Sequence, residues 1–295
     1  MPVQTANTLF RFTPKLNYLL KSLSTGFTPR LSKEVTIKGE PVNYPMICFC
    51  DIPLAMTDNH MALYGDYGIG LTKEWGIQNG LNPILYYNED SILIENFFGL
   101  VNEGIDATHK LYGLGVGAVF HDVGPGLPPY LTVDQNVDGY AEKNMAFWHA
   151  VNRLIAIQGL ERYFKPRVGA YEIGGNTYDN YHFYDEREWR FLPYKPLFDP
   201  GDPYLNKQEN TYPGDLDDVV KATINGEIEA KGEYNLTFGI KDIKYLIVKD
   251  EGEIIQVVQH LESLQNSAGD KQYSHDEIVL LTSRILTKKQ IREDF

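Results

Sequence analysis

Apolar positions along this chain change period several times, and each change predicts an element. Thr8 to Phe12 predicts a strand, and beyond it Leu16, Leu19, Leu20 and Leu23 recur at helical spacing. Thr13-Pro14 supplies a cap and a first-turn proline for that helix, and Gly26 stops it. Leu31 to Tyr44 is polar and irregular, whereas Pro45-Met46-Ile47-Cys48-Phe49-Cys50 predicts a buried strand. Asp51-Ile52-Pro53 breaks that strand, and a short helix carrying His60 is expected from about Pro53 to Tyr64. Gly65, Gly68 and Gly70 then permit tight turns or close backbone approach. A helix around Lys73 to Gly76 and a strand at Pro83 to Tyr87 complete this half.

The middle, Ser91 to Lys165, has the apolar density of packed helices over Ile92–His109, Leu111–Phe120 and Asn144–Phe164, with a loop signal at Gly124-Pro125-Gly126-Leu127-Pro128-Pro129. Tyr171 to Pro193 reads as a strand or hairpin region, and the acidic, Gly/Pro-containing stretch Asp199–Asp218 as a mobile loop. Strands follow at Leu236–Ile240 and Tyr245–Val248, a helix at Glu251–Gln265, an exposed loop at Asn266–Ser274 and a strand at Ile278–Thr282. No internal repeat is evident. The pattern predicts an α+β fold: a mixed or antiparallel sheet core with a helical insertion at about 91–165, in a single domain spanning 1–295.

Composition narrows the class. A chain of 295 residues with 43% hydrophobic and 23% charged residues is too apolar for general disorder and long enough to bury a substantial core. A formal net charge of −13 argues against a protein that coats nucleic acid, because affinity for phosphate backbones needs clustered lysine and arginine. The two cysteines, Cys48 and Cys50, share one face of the expected strand and read as buried free thiols, which fits a reducing compartment. No stretch reaches the length of a membrane span and Met1 to Thr13 lacks an apolar core of signal-peptide length, so a cytoplasmic location is expected.

Several familiar motifs are missing. There is no G-x-x-x-x-G-K-[ST], no H-E-x-x-H and no G-x-S-x-G, and Gly113, Gly115 and Gly117 have the wrong spacing for a dinucleotide fingerprint. The seven histidines show no metal-like spacing, so no metal is expected. His121-Asp122 beside a loop is a metal or acid/base candidate, set against a structural or surface role. His60 precedes the Tyr-Gly cluster, set against a helix-surface position. Tyr64 and Tyr67 beside the three glycines make a platform for stacking a base or nicotinamide, or simply aromatic packing under a turn.

The run Tyr184-Asp185-Glu186-Arg187-Glu188-Trp189-Arg190-Phe191-Leu192-Pro193 carries the most chemistry. Strand alternation puts Glu186, Glu188 and Arg190 on one face, with neighbours roughly 7 Å apart, and Arg187, Trp189 and Phe191 on the other. Carboxylates that close shift each other's proton affinity and suit acid/base work or a sugar hydroxyl. The same residues also suit solvent-screened cross-strand ion pairs.

Four blocks in order carry a resemblance. Leu9-Phe10-Arg11-Phe12-Thr13 with Gly26-Phe27-Thr28-Pro29-Arg30, then Cys48-Phe49-Cys50-Asp51-Ile52-Pro53-Leu54, Tyr67-Gly68-Ile69-Gly70-Leu71-Thr72-Lys73-Glu74-Trp75, and Phe183 to Pro193 together resemble the AbiGi family. That resemblance implies a phage-defence protein of abortive infection, labelled the antitoxin half of a pair. Such a chain would bind and neutralise a partner toxin, a nucleotidyltransferase, and its acidic charge would complement a basic toxin surface.

A more distant similarity is to ADP-ribosyltransferase folds. It implies that Arg11 holds the phosphates of NAD, that Glu188 stabilises the oxocarbenium-like transition state, and that Glu186 orients a macromolecular acceptor, protein or nucleic acid. Thr13, Tyr64, Tyr67 and Thr72 would complete the NAD site, Thr72 with the two tyrosines standing where those enzymes carry a Ser-Thr-Ser-like motif.

Overall fold

The structure, a computed structural model, describes residues 6–113, 118–121, 130–133, 149, 153, 157, 159–173, 175–193 and 212–294. Strand β1 (Thr8–Thr13) leads into helix α1 (Leu16–Thr25), strands β2 (Arg30–Val35) and β3 (Pro41–Cys50), helix α2 (Thr57–Tyr64), strand β4 (Tyr67–Thr72) and helix α3 (Lys73–Gln78). Short strands β5 (Asn82–Pro83) and β6 (Leu85–Tyr87) precede the long helix α4 (Ile92–Gly113) and strands β7 (Ala118–His121) and β8 (Tyr130–Val133). Next come β9 (Phe164–Pro166), the hairpin β10 (Gly169–Ile173) and β11 (Asn176–Tyr181), then β12 (Glu188–Phe191) and β13 (Tyr212–Pro213). Helix α5 (Asp218–Lys231), strand β14 (Ile243–Val248), helices α6 (Glu251–Ser263) and α7 (His275–Thr282), strand β15 (Ile285–Thr287) and helix α8 (Lys288–Asp294) end the chain. The fold is α+β, as the periodicity predicts.

One sheet organises the molecule. Its order is β15-β14-β4-β1-β3-β12-β5, with β2 and β13 paired to the first half of β3, and only β14 and β15 run parallel. Alternation along the strands separates two apolar layers. Leu9, Ile69, Leu71, Leu246 and Val248 face a core completed by Leu19 and Leu23 of α1, Trp75 of α3, Val257 and Leu261 of α6, and Ile278 and Leu281 of α7. Phe10, Cys50 and Ile247 face the opposite way, against Met61 of α2 and Ile291 of α8.

The glycines of β4 explain how large rings fit on that second face. A Cβ on Gly70 would stand 2.7 Å from the Phe10 ring, and one on Gly68 would stand 2.9 Å from the Phe12 ring. Both positions therefore need glycine for the close approach that the Tyr-Gly pattern suggests.

Several elements differ from the sequence expectation. Leu31–Tyr44 is not irregular: it holds β2 and the first part of β3, whose polar residues border a cleft and so break the apolar alternation. Leu111–Phe120 is not one helix, since α4 stops at Gly113 and Ala118–His121 pairs with β8. Phe164, expected to end a helix, begins β9, although the described positions between 149 and 160 are helical. Leu236–Ile240 makes only an isolated bridge, Phe27 to Leu236, and then a short helical turn.

Ile278–Thr282 is helical rather than extended. Ser274 caps α7, and Glu277 returns the bond to complete a capping box, which outweighs the strand preference of a short apolar run. The expected strand Pro83–Tyr87 splits into β5 and β6, which pair with different partners. In the acidic stretch, Tyr212–Pro213 pairs with β3 and Asp218 opens α5. The loops at 124–129 and 199–211, Gly115, Gly117, Asp122 and the side chain of His121 lie outside the described residues.

Candidate functional site

Besides β12 and β13, strand β3 meets β2 and then β1 in succession along its length. Residues 41–46 pair with β2, while β1, bound to β4 along its whole length, meets β3 only at Phe10 opposite Cys50. Where β1 has parted from β3, the Arg11 guanidinium takes over the missing ladder, with Nη1 donating to the Cys48 carbonyl at 2.9 Å. A cavity of about 280 Å3 opens there, bordered by Arg11, Cys48, His60, Lys165, Glu186 and Glu188. Arg11 belongs to the sheet face that carries Leu9, and Glu188 lies opposite Cys50 on the other, so the two reach this cavity from different sides.

The Glu-x-Glu pair does not arise as alternation predicts. Glu186 closes a short helical turn, Phe183–Glu186, and Arg187 adopts a left-handed conformation at φ 45° before β12 begins. The turn brings both carboxylates to one site, where they are buried at 5% and 7% exposure. Solvent-screened ion pairs are thereby ruled out for them.

What surrounds them is a dense ionic cluster. Arg190, 1% exposed, donates from Nε to Glu188 Oε1 at 2.6 Å, from Nη2 to Glu188 Oε2 at 3.2 Å and to Glu34 Oε2 at 2.9 Å, and from Nη1 to the Arg162 carbonyl at 2.7 Å. Lys165 Nζ donates to Glu188 Oε2 at 3.0 Å and to Glu186 Oε2 at 3.4 Å. Glu186 Oε1 also accepts from the Tyr181 hydroxyl at 3.1 Å and from the Tyr64 hydroxyl.

Burial alone would raise the Glu188 pKa, yet the Arg190 and Lys165 charges hold it well below the ordinary carboxylate range. Burial likewise opposes the Lys165 and Arg190 charges, and the neighbouring glutamates, Glu188 first, overcome it and hold both pKa values high. Burial pushes the Tyr64 hydroxyl far up, with the Glu186 charge adding to it, so Tyr64 stays a donor. A carboxylate kept ionised in this way stabilises positive charge, but it delivers no proton at neutral pH.

The other candidates divide. Thr13 lines a second cavity of about 310 Å3 that shares Arg11, Phe12 and Arg30 in its lining with the first, and Tyr64 borders the first. Tyr67 and Thr72 stand elsewhere: Tyr67 donates its hydroxyl to Glu253 Oε1 at 2.7 Å, and the Thr72 hydroxyl caps α3 by accepting from the Trp75 amide at 3.2 Å. The position between Arg11 and Glu188 belongs instead to Cys48 and Cys50, both free thiols whose pKa burial raises strongly. Their x-spacing opposite Glu188 and Arg190 was available as a cross-strand match. His60 is buried rather than on a helix surface. Lys165 had no signal, since one lysine among apolar residues says nothing of its partners.

Among the described residues no three His, Cys, Asp or Glu side chains converge to hold a metal ion, and no helix is long and apolar enough to cross a membrane.

A family model described as abortive phage resistance protein AbiGi, antitoxin, matches residues 25–249, most of the chain and all of β2 to β14. The chain belongs to the AbiGi family. A relative, the abortive phage resistance protein AbiGi of Lactococcus lactis subsp. cremoris, is 25% identical over 277 residues, covering 90% of this chain and 94% of its own length. No solved structure matches. The family match spans Cys48 on β3, Glu188 and Arg190 on β12 and the turn that carries Glu186, while Arg11 lies ahead of it.

Proposed function

We propose that this AbiGi-family chain is the non-catalytic, restraining half of an abortive-infection pair, binding a toxin protein and holding it inactive. The observation that carries the reading is the state of Glu188: both of its oxygens are engaged by Arg190 and one also by Lys165, so the carboxylate, though it borders the cavity, is tied to Arg190 on its own strand and to β9. The family description as an antitoxin supports it, and a net charge of −13 suits a basic, nucleic-acid-facing toxin surface such as a nucleotidyltransferase would carry. Co-expression with a neighbouring toxin gene tests it. Restored growth together with co-purification is expected; undiminished toxicity with no co-purification refutes it.

One observation favours a second reading, transfer of ADP-ribose from NAD to a macromolecule. Arg11 and Glu188, remote in sequence, border the same cavity, with Glu186 beside them. In that reaction the guanidinium would clamp phosphate and an oxygen of Glu188, released by Lys165, would face the developing positive charge at the anomeric carbon. Label transfer from NAD in cell extract, lost in Glu188→Gln, is the expected result. Equal transfer by both proteins, or none by either after phage infection, eliminates it.

A further inference from the structure

Strands β10 and β11 stand apart from the main sheet. Among the described residues they pair only with each other, and none of their residues is buried. A two-stranded hairpin by itself is marginal in water, so its place depends on what ties it down. The chain is fixed on both sides of it: the Arg167 amide donates to the Tyr87 carbonyl at 2.8 Å, and Phe183 is buried at 5% exposure. Val168 and His182 lie between these anchors and the paired residues, which begin with Gly169 opposite Tyr181.

The polar ties of the hairpin run to one atom. Tyr181 donates directly to Glu186 Oε1 at 3.1 Å. Tyr64 gives its single proton to the same oxygen, so at the 3.0 Å contact between the two hydroxyls Tyr171 is the donor and Tyr64 the acceptor. Around these bonds the rings of Tyr171, Tyr181 and Phe183 pack with centroids 4.8 to 5.3 Å apart. Tyr171 is also a wall of the 280 Å3 cavity, whose lining includes both of the chain's free thiols, Cys48 and Cys50. This joint is small beside the ladders of the sheet, and segments held by few buried contacts open before the molecule unfolds.

We propose that the β10–β11 hairpin is a lid on this cavity, latched through Tyr171 and Tyr181 to Glu186 Oε1, and that it swings about Val168 and His182 while the sheet stays folded. The ionic cluster gives the latch a fixed seat: Lys165 holds Glu186 Oε2 at 3.4 Å and leaves Oε1 to the tyrosines. Burial raises the pKa of Tyr171 and of Tyr181, so both hydroxyls keep the protons they donate. The lid goes beyond toxin restraint and stands or falls separately from it, since its opening needs no partner protein.

The thiols report the motion. In a full-length Cys48→Ala chain, Cys50, 7% exposed, is the one thiol left, and its reaction with N-ethylmaleimide is followed through urea concentrations below the unfolding transition. The rate should be flat in urea, because opening the lid exposes little surface. It should rise about tenfold or more in Tyr181→Phe, which removes a bond to a charged oxygen, and about threefold or more in Tyr171→Phe, which removes a bond between hydroxyls. Tyr178→Phe, on the same hairpin but outside the latch, should leave the rate unchanged. Hydrogen exchange should place the paired amides of β10 and β11 on the same urea-independent opening, with less protection than those of β1 and β4. A rate that climbs with urea along the slope of global unfolding, or no labelling short of unfolding, overturns the lid. So does a flat rate that either latch variant leaves alone, because Cys50 would then be reached past a closed hairpin, and so does equal acceleration by Tyr178→Phe.

Discussion

Arg190→Met isolates what the buried cluster contributes. Methionine fills much of the arginine stem's volume but carries no charge, so Glu188, Glu34 and the Arg162 carbonyl lose four donated hydrogen bonds at a place where Arg190 itself is 1% exposed. Lys165 remains for Glu188, whereas Glu34, half-buried, loses its guanidinium. Breaking a buried ion pair from one side costs about 3–5 kcal/mol, a large part of the 5–15 kcal/mol that holds an ordinary domain folded. Urea denaturation at pH 7 should show that loss as a lower midpoint with an unchanged slope.

Acid sharpens the test. Glu188 has a folded pKa below its ordinary 4.5, so its contribution is fully present above that value and is lost as pH falls below it. The gap between wild type and variant therefore narrows below pH 4.5. In Arg190→Met with Glu188→Leu the stranded carboxylate is gone, and the double variant should recover at least about 1 kcal/mol relative to the sum of the single changes. A loss under about 1 kcal/mol for Arg190→Met, or strict additivity in the cycle, would refute the assignment of Glu188 to a structural cluster.

Two further outcomes follow from the cleft wall. Gly65 ends α2 at φ 120°, and a methyl group there would run into the Thr13 carbonyl oxygen and Pro14, so Gly65→Ala should cost about 2 kcal/mol or more by thermal or urea unfolding; an unchanged midpoint would show that the α2–β1 contact yields freely. His60 has a folded pKa lowered by burial, despite the Glu186 and Asp185 charges, so the unfolded chain binds its proton first and stability falls as pH drops below 6.5. That part of the pH profile should vanish in His60→Phe, and parallel profiles would count against a neutral buried imidazole.

Much of the framework is legible in the chain because local signals agree. Helix α1 combines an amphipathic repeat with a glycine stop, and β4 announces its close packing through Gly68 and Gly70. Where misreadings occur, a local rule competes with a tertiary one. Strand β2 looks irregular because Ser32 and Glu34 face a cleft, and α7 looks extended because Val279 and Leu280 are apolar yet exposed, so no polar face marks the helix. At the site, Arg11, Glu186 and Glu188 could be picked by type, but not their state. Glu186 sits in a turn, not in the strand, and its cationic partner, Lys165, comes from a strand with no distinguishing pattern. That neither ring nitrogen of His60 has a partner among the described residues is something only three-dimensional packing reveals.

The pairing of β14 with β4 carries a consequence for synthesis. Strand β4 finds one neighbour in β1, made before it, but its other edge and much of the apolar layer over it come from β14, α6 and α7, made long after it. While the chain is being translated, the half that bears Arg11 and His60 therefore presents an open strand edge and an uncovered apolar face, both of which invite aggregation and proteolysis. Such long-range closure is also slow, because its loop entropy is spent before its contacts form. A chain interrupted ahead of Ile243 would thus leave β4 paired on one edge alone, and a closed sheet implies that synthesis has passed β14.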